Sequence, residues 1–282
     1  MNVRRRIAVL ITPPTLWLLA LLVLPVGLML LFTFRSGTFG EASRIFTLVH
    51  YQEFWQNASF HRLLLRSIYT AFLVSLYSIV LSYPVAYFLA FKAGPARITL
   101  LTVLIVPAWT SYLLRVLAWK IILGSSGILN SLLQSIGLIN TSLPILLYNN
   151  TANIITLTYA WIPFVALPIF AALERIDRSL LEGAADLGAE PWEAFLRITL
   201  PLSLPGVVAG FLFVFIPTVG EYVTPALVGG TDVMYGNIIW DQFLRALNWP
   251  IGSLMSIAML LAVLLPLFVL GRFIRLSELA GI

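Results

Sequence analysis

The chain has 282 residues, of which 60% are hydrophobic and only 10% charged, with a formal net charge of +5. A soluble domain carries about 25% charged residues, so this composition cannot supply a polar coat and excludes a water-soluble globular protein. The modest positive charge reads as loop Lys and Arg of a membrane protein rather than a nucleic-acid surface, and the absence of Cys excludes disulfides and thiolate metal sites.

Charges divide the chain into spans, each needing about 20 apolar residues to cross ~30 Å of hydrocarbon. Arg4, Arg5 and Arg6 precede a charge-free run from Ile7 to Phe34. It is longer than the core of a signal peptide and no small-x-small cleavage site follows, so it is expected to be a retained span over 7–34. A second span is expected over 67–91, between Arg66 and Lys92, and a third over 98–123, opening after Arg97 and running past Arg115. From Ile121 to Leu173 there is no charge, but the stretch GSSGILNSLLQSIGLINTSLPILLYNNTAN is rich in turn-forming Gly, Ser and Asn. It is expected to be an external loop with a short interfacial helix near Leu129–Ile136. The fourth span follows over 152–173, the fifth over 203–228 and the sixth over 253–275. Pro residues inside the spans, such as Pro84, Pro107, Pro163 and Pro217, read as kinks of the kind membrane helices tolerate. The expected architecture is an all-α integral membrane protein, one domain of six transmembrane helices over 1–282.

Six spans put both termini on one side, and Lys and Arg choose it. The termini and the 92–97 and 174–197 loops carry Arg4, Arg5, Arg6, Lys92, Arg97, Arg175, Arg178, Arg197, Arg272 and Arg275. The opposite side carries the other seven over longer loops. Both termini are therefore expected to be cytoplasmic.

Six of the twelve acidic residues fall in ERIDRSLLEGAADLGAEPWEAFLRITLP, 174–201: Glu174, Asp177, Glu182, Asp186, Glu190 and Glu193. Ser179-Leu180-Leu181-Glu182 fits a capping box. Gly188 suits the left-handed residue that closes a helix, and Pro191 the first turn of a second helix, which Pro201 is expected to limit. Two arms of about ten residues are too short to stand alone in water. With Leu180, Leu181, Leu187, Trp192 and Phe195 among them, they call for a partner surface.

Here the chain resembles a known family. Glu182-Gly183-Ala184-x-x-x-Gly188, followed by Ile198-x-Leu200-Pro201, is similar to the EAA motif of permease subunits in binding-protein-dependent ABC importers, with Gly183 where an Ala is usual. RSIYTAFLVSLYSIVLSYPVAYFLA (66–90) resembles the family's core span, and VPAWTSYLLRVLAW (106–119) and FIPTVGEYVTPALVGG (215–230) look most like the spermidine/putrescine type. The resemblance covers nearly the whole chain. It implies the type I ABC importer permease fold in a bacterial inner membrane. It also implies a coupling-helix segment over 177–201, with Glu182, Gly183, Ala184, Asp186, Gly188 and Pro201 seated on a cytoplasmic ATPase dimer. A second, different permease subunit and a periplasmic or extracellular substrate-binding protein are the other implied partners. The chain has no G-x-x-x-x-G-K-[ST]. No cofactor, metal or catalytic residue is expected on it; ATP and Mg belong to the ATPase, and nucleic acid is not a partner.

The pathway candidates are Glu221, Tyr222, Tyr235, Trp240 and Asp241, because carboxylates with aromatic faces suit an organic cation. Two plainer readings stand beside this one: Glu221 pairs with an Arg such as Arg115 or Arg245 or lies in water, and the aromatics form an interfacial belt. A polyamine is the expected solute, with a phosphonate or an opine as alternatives within the same class. A stand-alone secondary transporter is the competing class, and it leaves 177–201 without a role. An intramembrane enzyme has no support: His50 and His61 lie outside the spans, and no H-E-x-x-H or paired-Asp constellation occurs.

Overall fold

The computed structural model describes residues 3–141, 143 and 147–273. The end of the sixth expected span beyond Phe273, with Arg275, lies outside them, as do Ser142 and 144–146 of the expected loop. The described residues are helical with short connections, and their one bridge of extended backbone joins Arg35 to Phe46. The helices are α1 (Val3–Thr33), α2 (Val49–Gln56), α3 (Ala58–Phe91), α4 (Arg97–Ile105), α5 (Tyr112–Leu123), α6 (Ile128–Ser135), α7 (Asn150–Glu174), α8 (Arg178–Asp186), α9 (Pro191–Ala194), α10 (Leu200–Val219), α11 (Val223–Val228), α12 (Tyr235–Leu244) and α13 (Trp249–Phe273).

Among the described residues, five stretches are long and apolar enough to cross a membrane: Val9–Thr33, Ala58–Phe91, Tyr112–Ser135, Asn150–Glu174 and Pro191–Val219. Gly94–Trp109 and Trp249–Leu265 are shorter apolar stretches. Three of these helices depart from the expected bounds, for local reasons. α3 starts nine residues before Ser67, where Asn57 Oδ1 accepts from Ser59 N–H and caps a helix of 34 residues. At 1.5 Å per residue it runs about 51 Å and overshoots the hydrocarbon. The stretch 98–123 is two helices: α4 ends at Ile105, Val106–Trp109 tighten around Pro107, and Thr110 and Ser111 are extended. The stretch 203–228 is likewise α10 and α11, parted at Gly220-Glu221-Tyr222.

The described residues group into two compact units. One comprises Met1–Arg62 with Ile238–Ala262. In it Trp249 gathers Phe32, Phe243 and Phe39 at centroid distances of 5.7, 5.9 and 6.4 Å, and Thr33 and Tyr51 share a hydrogen bond of 2.8 Å.

The other unit runs from Leu63 to Asn237 and resumes at Val263. Its core holds Val74, Leu89, Leu157, Val165, Ile169, Leu173 and Val214. Hydrocarbon gives apolar side chains no reason to prefer each other, so close packing and hydroxyls hold membrane helices together. Thr70 bonds Asn150, Ser78 bonds Thr158 O and Ser82 bonds Ile162 O. The constant spacing of 80 residues means that α3 and α7 run parallel in one register. α10 meets α7 through Gly206, where a Cβ would stand 2.5 Å from Pro168 O and 2.6 Å from Ala172 Cβ. Two ion pairs mark the ends of this unit. Arg66–Asp232 (2.6 Å) lies where Asp232 also accepts from Asn150 N–H, and Arg97–Glu174 (2.6 Å) lies at the other end of α7.

Candidate coupling segment and pathway residues

The acid-rich segment begins where Ile176 is buried after α7 and Asp177 turns into extended backbone. Asp177 Oδ1 accepts from Ser179 N–H at 3.0 Å and caps α8. That bond holds the Asp177 carboxyl below its ordinary range. The capping box expected at Ser179 and Glu182 is absent: Asp177 stands at the cap position, and an acceptor there takes the amide that Ser179 would have offered a partner. The box occurs instead at Glu190–Glu193, where Glu190 N–H donates to Glu193 Oε2 at 3.4 Å and Pro191 opens α9.

Gly188 closes α8 with φ +83°. Its N–H donates to Ala185 O and the next, from Ala189, to Ala184 O, both at 2.9 Å. This is a Schellman closure, which a left-handed glycine permits. Glu182, Gly183, Asp186 and Gly188 are exposed and Ala184 is half-buried. Added Cβ atoms at Gly183 and Gly188 meet nothing within 4 Å. The apolar residues stand in the open: Leu187 is 90% exposed, Trp192 65% and Leu180 49%. Pro201 does not end the second arm. α9 continues through a π-turn, Phe195–Thr199, into α10, and Pro201 lies inside the continuous helix.

Glu221 sits in the break between α10 and α11 and caps α11. Its Oε1 accepts from Val223 N–H at 2.8 Å and Thr224 N–H at 3.1 Å. The Tyr112 hydroxyl lies 2.6 Å from that of Thr224, with Glu221 on one side and Arg115 over its ring at 5.8 Å. Among the described residues no ion pair joins Glu221 to Arg115. Tyr222 is 38% exposed and its carbonyl accepts from Asn237. Tyr235 is fully buried, its N–H on Ser67 Oγ at 2.7 Å. Trp240 and Asp241 belong to the other unit, where Asp241 pairs with Arg245 at 3.3 Å.

Sequence reasoning used Arg115 as a boundary and as one possible partner of Glu221. Arg115 donates through Nη1 to Ala160 O at 3.2 Å, and its Nε is buried without a hydrogen-bond partner. Ala160 stands ten residues from Asn150 and fourteen from Glu174, about 15 Å and 21 Å along α7. The guanidinium is therefore deep in the bilayer, beside an apolar cavity of about 410 Å³ walled by Phe88, Leu104, Pro107, Tyr159 and Pro163. The available signal was the VPAWTS break, which stops α4 short and lets Arg115 enter on a new helix.

The family model for the binding-protein-dependent transport system inner membrane component matches residues 3–279. The chain belongs to this family. It is similar to the spermidine/putrescine transport system permease protein PotB of Escherichia coli (strain K12), with 39% identity over 233 residues, 82% of this chain and 84% of that protein. PotB of Haemophilus influenzae is 35% identical over 259 residues, covering 91% and 90%. The fold of this inner membrane component is the type I ABC permease fold. A bacterial ABC transporter involved in the import of the acidic polysaccharide alginate superposes with a TM-score of 0.71 over 95% of this chain and 96% of the other, at 19% identity. The MetNI methionine ABC transporter gives 0.58 over 76% and 94%, at 21% identity. The segment 174–201 and the Glu221 corner thus belong to a transport permease.

Proposed function

We propose that this chain is one of two different transmembrane subunits of an ATP-driven importer and forms the path for a polyamine such as spermidine or putrescine. The observation that carries the substrate is the 39% identity to PotB over 82% of the chain. α8 and α9 then seat on a cytoplasmic ATPase dimer through Glu182, Gly183, Ala184, Asp186 and Gly188, with Pro201 in the helix that receives their movement. The exposed Leu180, Leu187 and Trp192 support this role, because an apolar surface on a short capped hairpin is costly unless a partner covers it. ATP and Mg stay on the ATPase, and the chain itself is non-catalytic. Both termini and the 174–201 segment face the cytoplasm, and a binding protein delivers the solute to the Asn150 end.

Glu221 with Tyr222 supplies a carboxylate and an aromatic face to a flexible polycation. Tyr235 is buried and shapes its surroundings rather than touching solute, and Trp240 and Asp241 are pathway candidates within their own unit. The test is uptake by cells lacking the chain, with and without its return on a plasmid. ATP-dependent spermidine and putrescine uptake should follow the chain, and the delivering binding protein should bind both. Uptake of another solute class alone would overturn the substrate, and purification without any ATPase would favour a secondary transporter.

A further inference from the structure

Phe195–Thr199 leave α-helical spacing, with Leu200 N–H donating to Phe195 O, five residues back. Pro201 supplies the reason. In an α-helical turn its ring would crowd the Arg197 carbonyl, and that carbonyl would have no N–H to accept from. Here the Leu200 N–H donates to Phe195 O instead, and the helix runs on past the proline. Such π-turns concentrate at functional positions.

The same turn carries the contact between the exposed segment and the membrane helices. Phe195 packs edge-on against Tyr83 (5.8 Å, 90°) and Tyr87 (6.1 Å, 73°) of α3, and Trp192 stacks on it at 6.0 Å. On the far side of the turn, the Tyr83 hydroxyl lies 2.8 Å from Ser203 Oγ on α10. Tyr83 therefore touches the helix at the first residue of the π-turn and again beyond it. Through Ser82 on Ile162 O, α3 is also tied to α7. A displacement of α8 and α9 reaches Phe195 before it reaches α10, and the rings pass it sideways into α3.

We infer that the π-turn Phe195–Thr199 is the hinge of the coupling segment, and that Phe195, held between Tyr83 and Tyr87, is the positioning residue that transmits its movement to α3. This rests on the proposed seating of α8 and α9 on an ATPase. The test uses the whole importer in lipid vesicles, with ATPase retention, ATP hydrolysis and spermidine uptake measured separately. Phe195→Ala removes the aromatic pairs with α3, and solute moved per ATP should fall roughly tenfold while the ATPase is retained in full. Phe195→Trp keeps a ring and should restore most of the ratio. Tyr83→Phe keeps the ring contact but loses the bond to Ser203, and should lower the ratio roughly fivefold. Equal losses of hydrolysis and uptake in Phe195→Ala, or an unchanged ratio, overturn the inference. So does loss of the ATPase from that variant, which would make Phe195 part of the docking surface. Failure of the coupling reading itself looks different: the wild-type chain would then retain no ATPase.

Discussion

Substitution of Gly188 separates two reasons for having a glycine there. The residue holds φ +83°, where a side chain costs about 1–2 kcal/mol, and Asn tolerates the region better than other residues. A Cβ at this position meets nothing within 4 Å, so the chain itself leaves room for any side chain. If closing α8 were the only requirement, Gly188→Ala and Gly188→Trp would carry the same backbone penalty and behave alike. If an ATPase seats on this corner, Trp adds a collision that Ala does not. Gly188→Asn is expected to stay near wild type. Gly188→Ala should weaken ATPase retention by roughly tenfold, the equivalent of its ~1.4 kcal/mol of strain. Gly188→Trp should abolish uptake while the thermal unfolding of the isolated chain matches that of Gly188→Ala. The assays are retention of the ATPase on the purified permease and uptake in vesicles. Normal uptake with Gly188→Trp, or equal effects of Ala and Trp, would refute the docking argument.

Glu182 is exposed and the cap of α8 is Asp177, so Glu182→Gln should leave Tm unchanged and report only the proposed seating: ATPase retention should fall about twofold to fivefold, and unchanged retention would remove Glu182 from the docking surface. Glu221→Gln keeps an oxygen for the two amides of α11 and loses only the charge; polyamine uptake should drop roughly fivefold or more, the scale of a ~1 kcal/mol charge interaction, with the complex assembled as before. Unchanged uptake would remove Glu221 from the path. Burial raises the Asp232 carboxyl, but Arg66 and Asn150 N–H outweigh it and hold the group below its ordinary range. A depressed carboxyl stabilises the fold above its unfolded value of about 4 and loses that contribution as pH falls through the folded one. Asp232→Asn should therefore lower Tm at neutral pH, and the gap to wild type should close on acidification below about pH 4; a gap independent of pH would contradict the sign.

Local punctuation made 177–201 legible, because Gly188 and Pro191 act on their own backbone whatever surrounds them. The identity of the first cap was less so: Asp177 and Ser179 are both competent, and only the chain path out of buried Ile176 decides between them. Pro201 was misread for a related reason. A proline need not end a helix, and here the chain passes it through a π-turn that runs on into α10. Apolar runs located the long helices but not the interruptions at 106–111 and 220–222, because hydropathy does not record which carbonyls and amides find partners. The Phe195 contacts with Tyr83 and Tyr87 bridge more than a hundred residues and leave no trace in any local pattern.

The two interruptions share a consequence for transport. Each places a charged residue at a depth where a continuous apolar helix would admit none: Arg115 enters on α5 after the Pro107 turn, and Glu221 fills the gap between α10 and α11. Broken backbone inside a membrane survives only where other groups satisfy it or where it lines a cavity. Both conditions are met here, since Glu221 takes the amides that open α11 and Arg115 borders the apolar cavity. Tyr112 stands between the two charges with its hydroxyl on Thr224. In the proposed path a polycation is attracted by Glu221 and repelled by Arg115, the two charges on either side of Tyr112.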